Sequence, residues 1–310
     1  MEKILKNFYR QIEMSAGLAG NITASGEIDR VLVCGMGGSG ISGGILSDYI
    51  KKMPVSVCNT YSLPKYINKK TLVFISSYSG NTEEPLRTYK QAKEKGARII
   101  IVTSGGELAK KHEKKIMLPS GIPPRCSLGF MFFSMLTVLQ NSGIIPDQKK
   151  PAKETADLLR EFDVSVSKRL AEKLHGKIPV IYGSDDYSSV VYRWRTQFNE
   201  NSKVIALSHT FPEMNHNEIN ADYSNGKFEC VFIRDSHDHP RIRKRMDITA
   251  KILRGHAGVN NAYVKGNSRL ARIFYAIHLG DWTSYYLARL RKQDPYAVPV
   301  IENFKKLMNR

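Results

Sequence analysis

Two short stretches carry glycines and hydroxyls in a pattern suited to gripping an anion. The first is Gly35-Met-Gly-Gly-Ser-Gly40. It follows the apolar run Val31–Cys34 and precedes Ser42–Ile50, a segment that reads as a helix. A strand passing through glycines into a helix gathers free backbone N–H groups and the positive end of the helix dipole at one place. The second is Ser76-Ser-Tyr-Ser-Gly-Asn-Thr82, between the apolar strand Thr71–Ile75 and a helix expected over Glu83–Gly96. Ser77, Ser79 and Thr82 can offer hydroxyls there while the backbone of residues 80–82 offers N–H groups. Together with Gly38 and Ser39 they fit a phosphate monoester. Thr82, with Pro85 behind it, is also suited to a plain helix cap.

The spacing Gly35-x-Gly37-x-x-Gly40 formally matches a dinucleotide fingerprint. That fingerprint needs an acidic residue about 20 positions on to hold the ribose. The next strand, Val55-Ser-Val-Cys-Asn-Thr-Tyr61, has none. A nicotinamide or flavin is therefore not expected, and the sequence predicts no cofactor. A metal held by Glu213, His216 and Glu218 lacks the HExxH spacing, and His209, His237, His239, His256 and His278 are dispersed. No metal is expected.

The elements that must carry these loops alternate between two periods. Apolar residues Ile4, Leu5, Phe8, Ile12 and Leu18 give helical spacing before the first strand. Strands at Val31–Cys34, Val55–Thr60, Thr71–Ile75, Arg98–Thr103 and Lys115–Leu118 alternate with helices, the last a long apolar one after Pro123-Pro-Arg-Cys126. That alternation predicts a parallel sheet covered by helices on both faces. The polar segment Pro146–Pro151 reads as a boundary. Beyond it, one long helix over Ala152–Leu174 leads to the strand Ile178–Gly183, a Ser-rich turn and a helix towards Phe198. Further strands are expected at Val204–Leu207, Phe228–Ile233 and Asn261–Val264, with helices at Arg241–Arg254 and Arg269–Arg291. The chain thus reads as two similar α/β halves, 1–150 and 151–310, each a doubly wound parallel sheet.

The 310 residues are 42% hydrophobic and 25% charged, which suits one large or two ordinary globular domains. The longest apolar run, 129–139, is too short for a bilayer, which needs about 20 residues, so no membrane role is expected. The start lacks a secretory signal's apolar core. Cys34, Cys58, Cys126 and Cys230 are scattered in apolar contexts, the pattern of buried thiols in a reducing cytoplasm. The net charge of +18 raises the question of nucleic acid. Lys and Arg are spread along the whole chain without a nucleic-acid fold signature, so an anionic metabolite is the expected partner instead.

Further motifs sharpen this. They are Pro123-Pro-Arg-Cys-Ser-Leu-Gly129, Phe198-Asn-Glu-Asn201, Pro212-Glu-Met-Asn-His-Asn-Glu218, Gly280-Asp-Trp282 and Ile301 through Lys305. The Gly-Gly-Ser-Gly and Ser-x-Ser-Gly-x-Thr loops resemble those of the sugar isomerase (SIS) domain, a flavodoxin-like phosphosugar-binding fold. With the other motifs, nearly the whole chain resembles the archaeal-type bifunctional phosphoglucose/phosphomannose isomerases. The resemblance implies interconversion of glucose 6-phosphate and mannose 6-phosphate with fructose 6-phosphate through a cis-enediolate, within glycolysis and gluconeogenesis. A non-catalytic phosphosugar sensor, or an isomerase of another sugar phosphate, are the alternatives.

Such a reaction needs a phosphate clamp, a base, a steady positive charge at the enediolate and an acid to open the ring. On residue type alone Glu200 is a solvated carboxylate, whereas Arg125 is either a surface arginine or a guanidinium held in place by the two prolines before it. The resemblance makes Glu200 the base, a role a carboxylate in a partly dry cleft can fill. It places Arg125, stiffened by two preceding prolines, at the enediolate. It gives ring opening to His216, an imidazole able to give and take a proton near neutrality, with Lys305 assisting. It also implies a homodimer in which His216 reaches into the neighbour's site.

Overall fold

The structure is a computed structural model that describes residues 1–224 and 226–308. Along the chain, α1 (Glu2–Lys6) and α2 (Phe8–Ala19) precede β1 (Arg30–Cys34), α3 (Gly37–Tyr49), β2 (Val55–Cys58) and β3 (Thr71–Ser76). Then come α4 (Glu83–Glu94), β4 (Arg98–Thr103), α5 (Gly106–Ala109), β5 (Lys114–Met117), α6 (Leu128–Asn141) and α7 (Lys149–Arg160). The chain continues with α8 (Ser165–Leu174), β6 (Ile178–Ser184), α9 (Ser188–Gln197), β7 (Leu207–Phe211), β8 (Phe228–Arg234) and α10 (Pro240–Leu253). β9 (Gly258–Tyr263), α11 (Arg269–Leu290) and α12 (Pro299–Met308) complete it.

The chain forms two compact units. The first comprises Lys6–Glu161 and Gly266–Ala271. Its sheet has the order β2-β1-β3-β4-β5, all strands parallel. β3 is buried at every position, as expected for a strand covered on both faces. Leu32, Cys34, Val73, Ile75 and Ile101 pack on one such face with Tyr89 and Ala92 of α4. The second unit comprises Met1–Leu5, Phe162–Lys265 and Arg272–Arg310. Its sheet, β7-β6-β8-β9, is parallel too. The expected fold class, two doubly wound parallel sheets covered by helices, is what the chain adopts. All four cysteines are free and buried.

Besides α12, which was not expected, the following elements differ from expectation. The glycine string does not form a loop: α3 begins at Gly37, so Gly38 and Ser39 lie in its first turn. The helix expected over Ala152–Leu174 breaks in two. The Asp163 carboxylate accepts from the Ser165 backbone N–H at 2.9 Å and from its hydroxyl at 2.9 Å, starting α8 afresh. Residues 204–206 are not strand, because a π-helical turn, Phe198–Ser202, prolongs α9 and delays β7 to Leu207.

Candidate active site

In the first unit the chain reaches β2 on one side of β1 and then returns to β3 on the other. The edge between β1 and β3 is therefore the topological switch point, where doubly wound sheets bind ligands at the carboxyl ends of their strands. Cys34 pairs with Ile75, so both expected phosphate loops leave the sheet side by side there.

The first loop is compact because α3 starts within it. Gly38 packs against the turn at Pro124–Cys126: a Cβ there would lie 3.0 Å from the Pro124 carbonyl oxygen and 3.1 Å from Arg125 Cα. The missing side chain lets the buried Arg125 sit beside the helix start. Ser39 is also buried, its hydroxyl 3.3 Å from Met131 Sδ. Gly38, Ser39 and Arg125 are thus brought together within one unit.

The second loop is held by its own hydroxyls. Ser77 is buried, its Oγ 2.9 Å from Thr82 Oγ1 and accepting from the Gly80 N–H at 3.2 Å. Ser79 is exposed and its Oγ accepts from the Asn81 N–H at 3.3 Å. Thr82 occupies the N-cap position of α4, as the capping alternative has it. Yet its hydroxyl makes no capping bond and is engaged with Ser77. The N-terminus of a twelve-residue helix is left without a side-chain cap, a feature that favours an anionic ligand.

In the second unit Glu200 is half-buried on the π-helical turn, a form often found at functional sites. α11 and Arg291, just past its end, fix that turn from several directions. Asn201 Nδ2 donates to Ser284 Oγ at 2.9 Å, Ser202 Oγ to the Ser284 carbonyl at 2.7 Å, and Arg291 Nε to the Ser202 carbonyl at 3.0 Å. Behind it, Arg193 Nη2 meets Asp281 Oδ2 at 2.8 Å, and Gln197 Nε2 donates to Asp281 Oδ1 at 3.1 Å, all buried. His216 is exposed at the end of a short 3₁₀ turn, Glu213–His216. Its neighbour Asn215 donates to Thr249 Oγ1 of α10 at 2.8 Å, and Glu218 accepts from Tyr182 of β6 at 2.9 Å. Lys305 is exposed on α12.

The switch point of the second sheet, between β6 and β8, is occupied by acids. Asp235 accepts from Tyr187 Oη at 2.7 Å and from Arg272 Nε at 2.8 Å, while Asp238 accepts from Ser184 Oγ at 2.6 Å. Burial pushes Asp238 above the usual carboxylate range; Asp235 is held below it by its donors despite burial. Carboxylates satisfied by their own surroundings do not suit a phosphate, so this switch point offers no cradle of that kind among the described residues.

Residues 27–139 match the SIS domain, and residues 163–308 match the bacterial phospho-glucose isomerase C-terminal SIS domain. The chain is 42% identical to a bifunctional phosphoglucose/phosphomannose isomerase of Caldicellulosiruptor bescii, covering 94% of this chain and 93% of that one. This chain belongs to the bifunctional phosphoglucose/phosphomannose isomerase family. A second member, from Thermoplasma acidophilum, is 40% identical over 91% of this chain and 90% of its own. The family's fold extends to more distant proteins. Glucosamine-6-phosphate deaminase of Thermotoga maritima superposes with a TM-score of 0.74 at 18% identity, covering 96% of this chain and 97% of that one. Among the described residues no helix is long and apolar enough to cross a membrane.

Proposed function

We propose that this protein interconverts glucose 6-phosphate, and mannose 6-phosphate, with fructose 6-phosphate. The observation that carries the proposal is identity of 42% along 94% of the chain to an isomerase with both activities in its name. In the mechanism that the residues support, Ser39, Ser77, Ser79 and Thr82, with the backbone at Gly38, hold the phosphate. His216 and Lys305 open the ring. The Glu200 carboxylate then takes the C2 proton of the aldose, and the C2–H electrons form the C1–C2 double bond of the enediolate as the C1 carbonyl becomes an oxyanion. The Arg125 guanidinium steadies that charge. The C2 hydroxyl then passes its proton to the C1 oxyanion. As the electrons left on O2 form the C2 carbonyl, the C1–C2 double bond takes a proton at C1 from Glu200, whose proton exchanges with solvent in the meantime, which gives the ketose.

Two copies associate, and His216 of each serves the other's reaction. This accords with the exposure of His216 on a surface turn. The setting is the cytoplasm, consistent with four free, buried thiols. Purified protein given fructose 6-phosphate and a chelator is expected to release both aldose phosphates. Absence of both products contradicts the proposal; loss of activity only with chelator contradicts the metal-free mechanism. Mixing Glu200→Gln with His216→Ala subunits, each inactive alone, restores part of the activity if two copies share their residues. No recovery after subunit exchange contradicts the sharing.

A further inference from the structure

Lys203 closes the turn that carries Glu200, and it does so in left-handed backbone, φ 55° and ψ 42°. Glycine or asparagine normally takes such a position, because a longer L side chain crowds the backbone. The Lys203 ammonium accounts for the choice. Its Nζ donates to the Glu200 carbonyl at 2.9 Å, the Asn201 carbonyl at 3.3 Å and the Ala297 carbonyl at 2.9 Å, and also to the Asp294 carbonyl. An ammonium has three hydrogens and no acceptor, so four carbonyls saturate it, with one hydrogen shared. Two of those carbonyls belong to the turn. The other two belong to the segment between α11 and α12, and α12 carries Lys305.

We infer that Lys203 is a positioning residue. Its ammonium fixes the backbone of Glu200 and ties it to the segment leading into the helix of Lys305. It acts through those carbonyls and takes no part in the chemistry itself. The inference rests on Glu200 being the base. Misplacing a reacting group by about 1 Å can cost on the order of 100-fold in rate, without a change in substrate binding. The tether therefore shows in kcat rather than in KM.

The test compares Lys203→Asn, Lys203→Arg and Glu200→Gln in the full-length protein with fructose 6-phosphate. Asparagine tolerates the left-handed position but lacks the ammonium, so thermal stability is retained while kcat falls by roughly 10- to 100-fold at unchanged KM. Arginine keeps a cationic donor and gives a kcat between wild type and Lys203→Asn. Should the asparagine variant not fold, Lys203→Gly, better suited still to positive φ, takes its place with the same expectation. Wild-type kcat in Lys203→Asn beside an inactive Glu200→Gln overturns the tether and leaves the base assignment standing. A loss of kcat that follows a loss of stability, or a rise in KM alone, also overturns it. A fully active Glu200→Gln overturns the base assignment itself.

Discussion

Gly80 offers a test of how the second of the two proposed phosphate loops gets its shape. Its φ is +72°, and a Cβ would lie 1.8 Å from the Gly105 carbonyl oxygen and 2.8 Å from Thr103 Oγ1. Gly96 is a built-in control: its φ is +66°, but nothing lies within 4 Å of its would-be Cβ. Alanine at either position meets the left-handed penalty of roughly 1–2 kcal/mol. Only at position 80 must backbone also move apart, which adds about 1–3 kcal/mol as for other overpacked sites. Gly96→Ala should then cost about 1–2 kcal/mol and Gly80→Ala roughly 2–5 kcal/mol. At about 2–4 °C per kcal/mol for units of this size, calorimetry separates the two. The Gly80→Ala protein is also expected to show a raised KM for fructose 6-phosphate, because Ser77 and Ser79 are displaced with the loop. Equal Tm shifts for the two variants, or a wild-type KM in Gly80→Ala, would refute the reasoning.

Other consequences follow from the buried polar groups of the second unit. Asp281→Ala removes the carboxylate facing Arg193, where both side chains are nearly inaccessible, at 2% and 1% exposure. Breaking such a pair costs about 3–5 kcal/mol, readable by urea denaturation. His278 is a pH sensor of stability. Burial, with the positive charge of Arg193 adding to it, pushes its imidazole down to about 3 from an ordinary 6.5. The unfolded chain binds that proton and the native one does not. Stability is therefore intact above pH 6.5 and falls as pH drops towards 3, at roughly 1.4 kcal/mol per pH unit for this one group. His278→Gln, which can still accept from the Trp282 indole, should flatten that part of the stability–pH curve. Ser79→Ala, at an exposed position of the second loop, should raise KM with little change in Tm.

The central strands were legible because parallel strands buried on two faces are near-continuous apolar runs, as in Val31–Cys34 and Leu72–Ile75, whereas the edge strand expected at Val204–Leu207 lies at Leu207–Phe211. The break at Glu161–Val164 was not, because Leu159, Phe162 and Val166 keep the helical spacing across it, while the Asp163 turn that starts α8 depends on geometry. The glycine string misled in detail: its residues begin α3 rather than forming a loop, and Gly38 is small where that helix passes Pro124–Arg125. Lys203 and the Arg193–Asp281 pair were invisible for a different reason. Asp281 and two of the four carbonyls that Lys203 holds lie some ninety positions away, and no local pattern marks a lysine that holds backbone carbonyls. α12 escaped notice as well, since its apolar residues Val300, Ile301 and Phe304 remain exposed and form no core signal.

The central claim is proton transfer by Glu200 through an enediolate. It is tested most directly by converting fructose 6-phosphate in D2O and reading deuterium at C2 of the aldose product by NMR. The account predicts deuterium at C2 with the wild-type protein, and neither turnover nor exchange with Glu200→Gln. Turnover or exchange persisting in Glu200→Gln would contradict it.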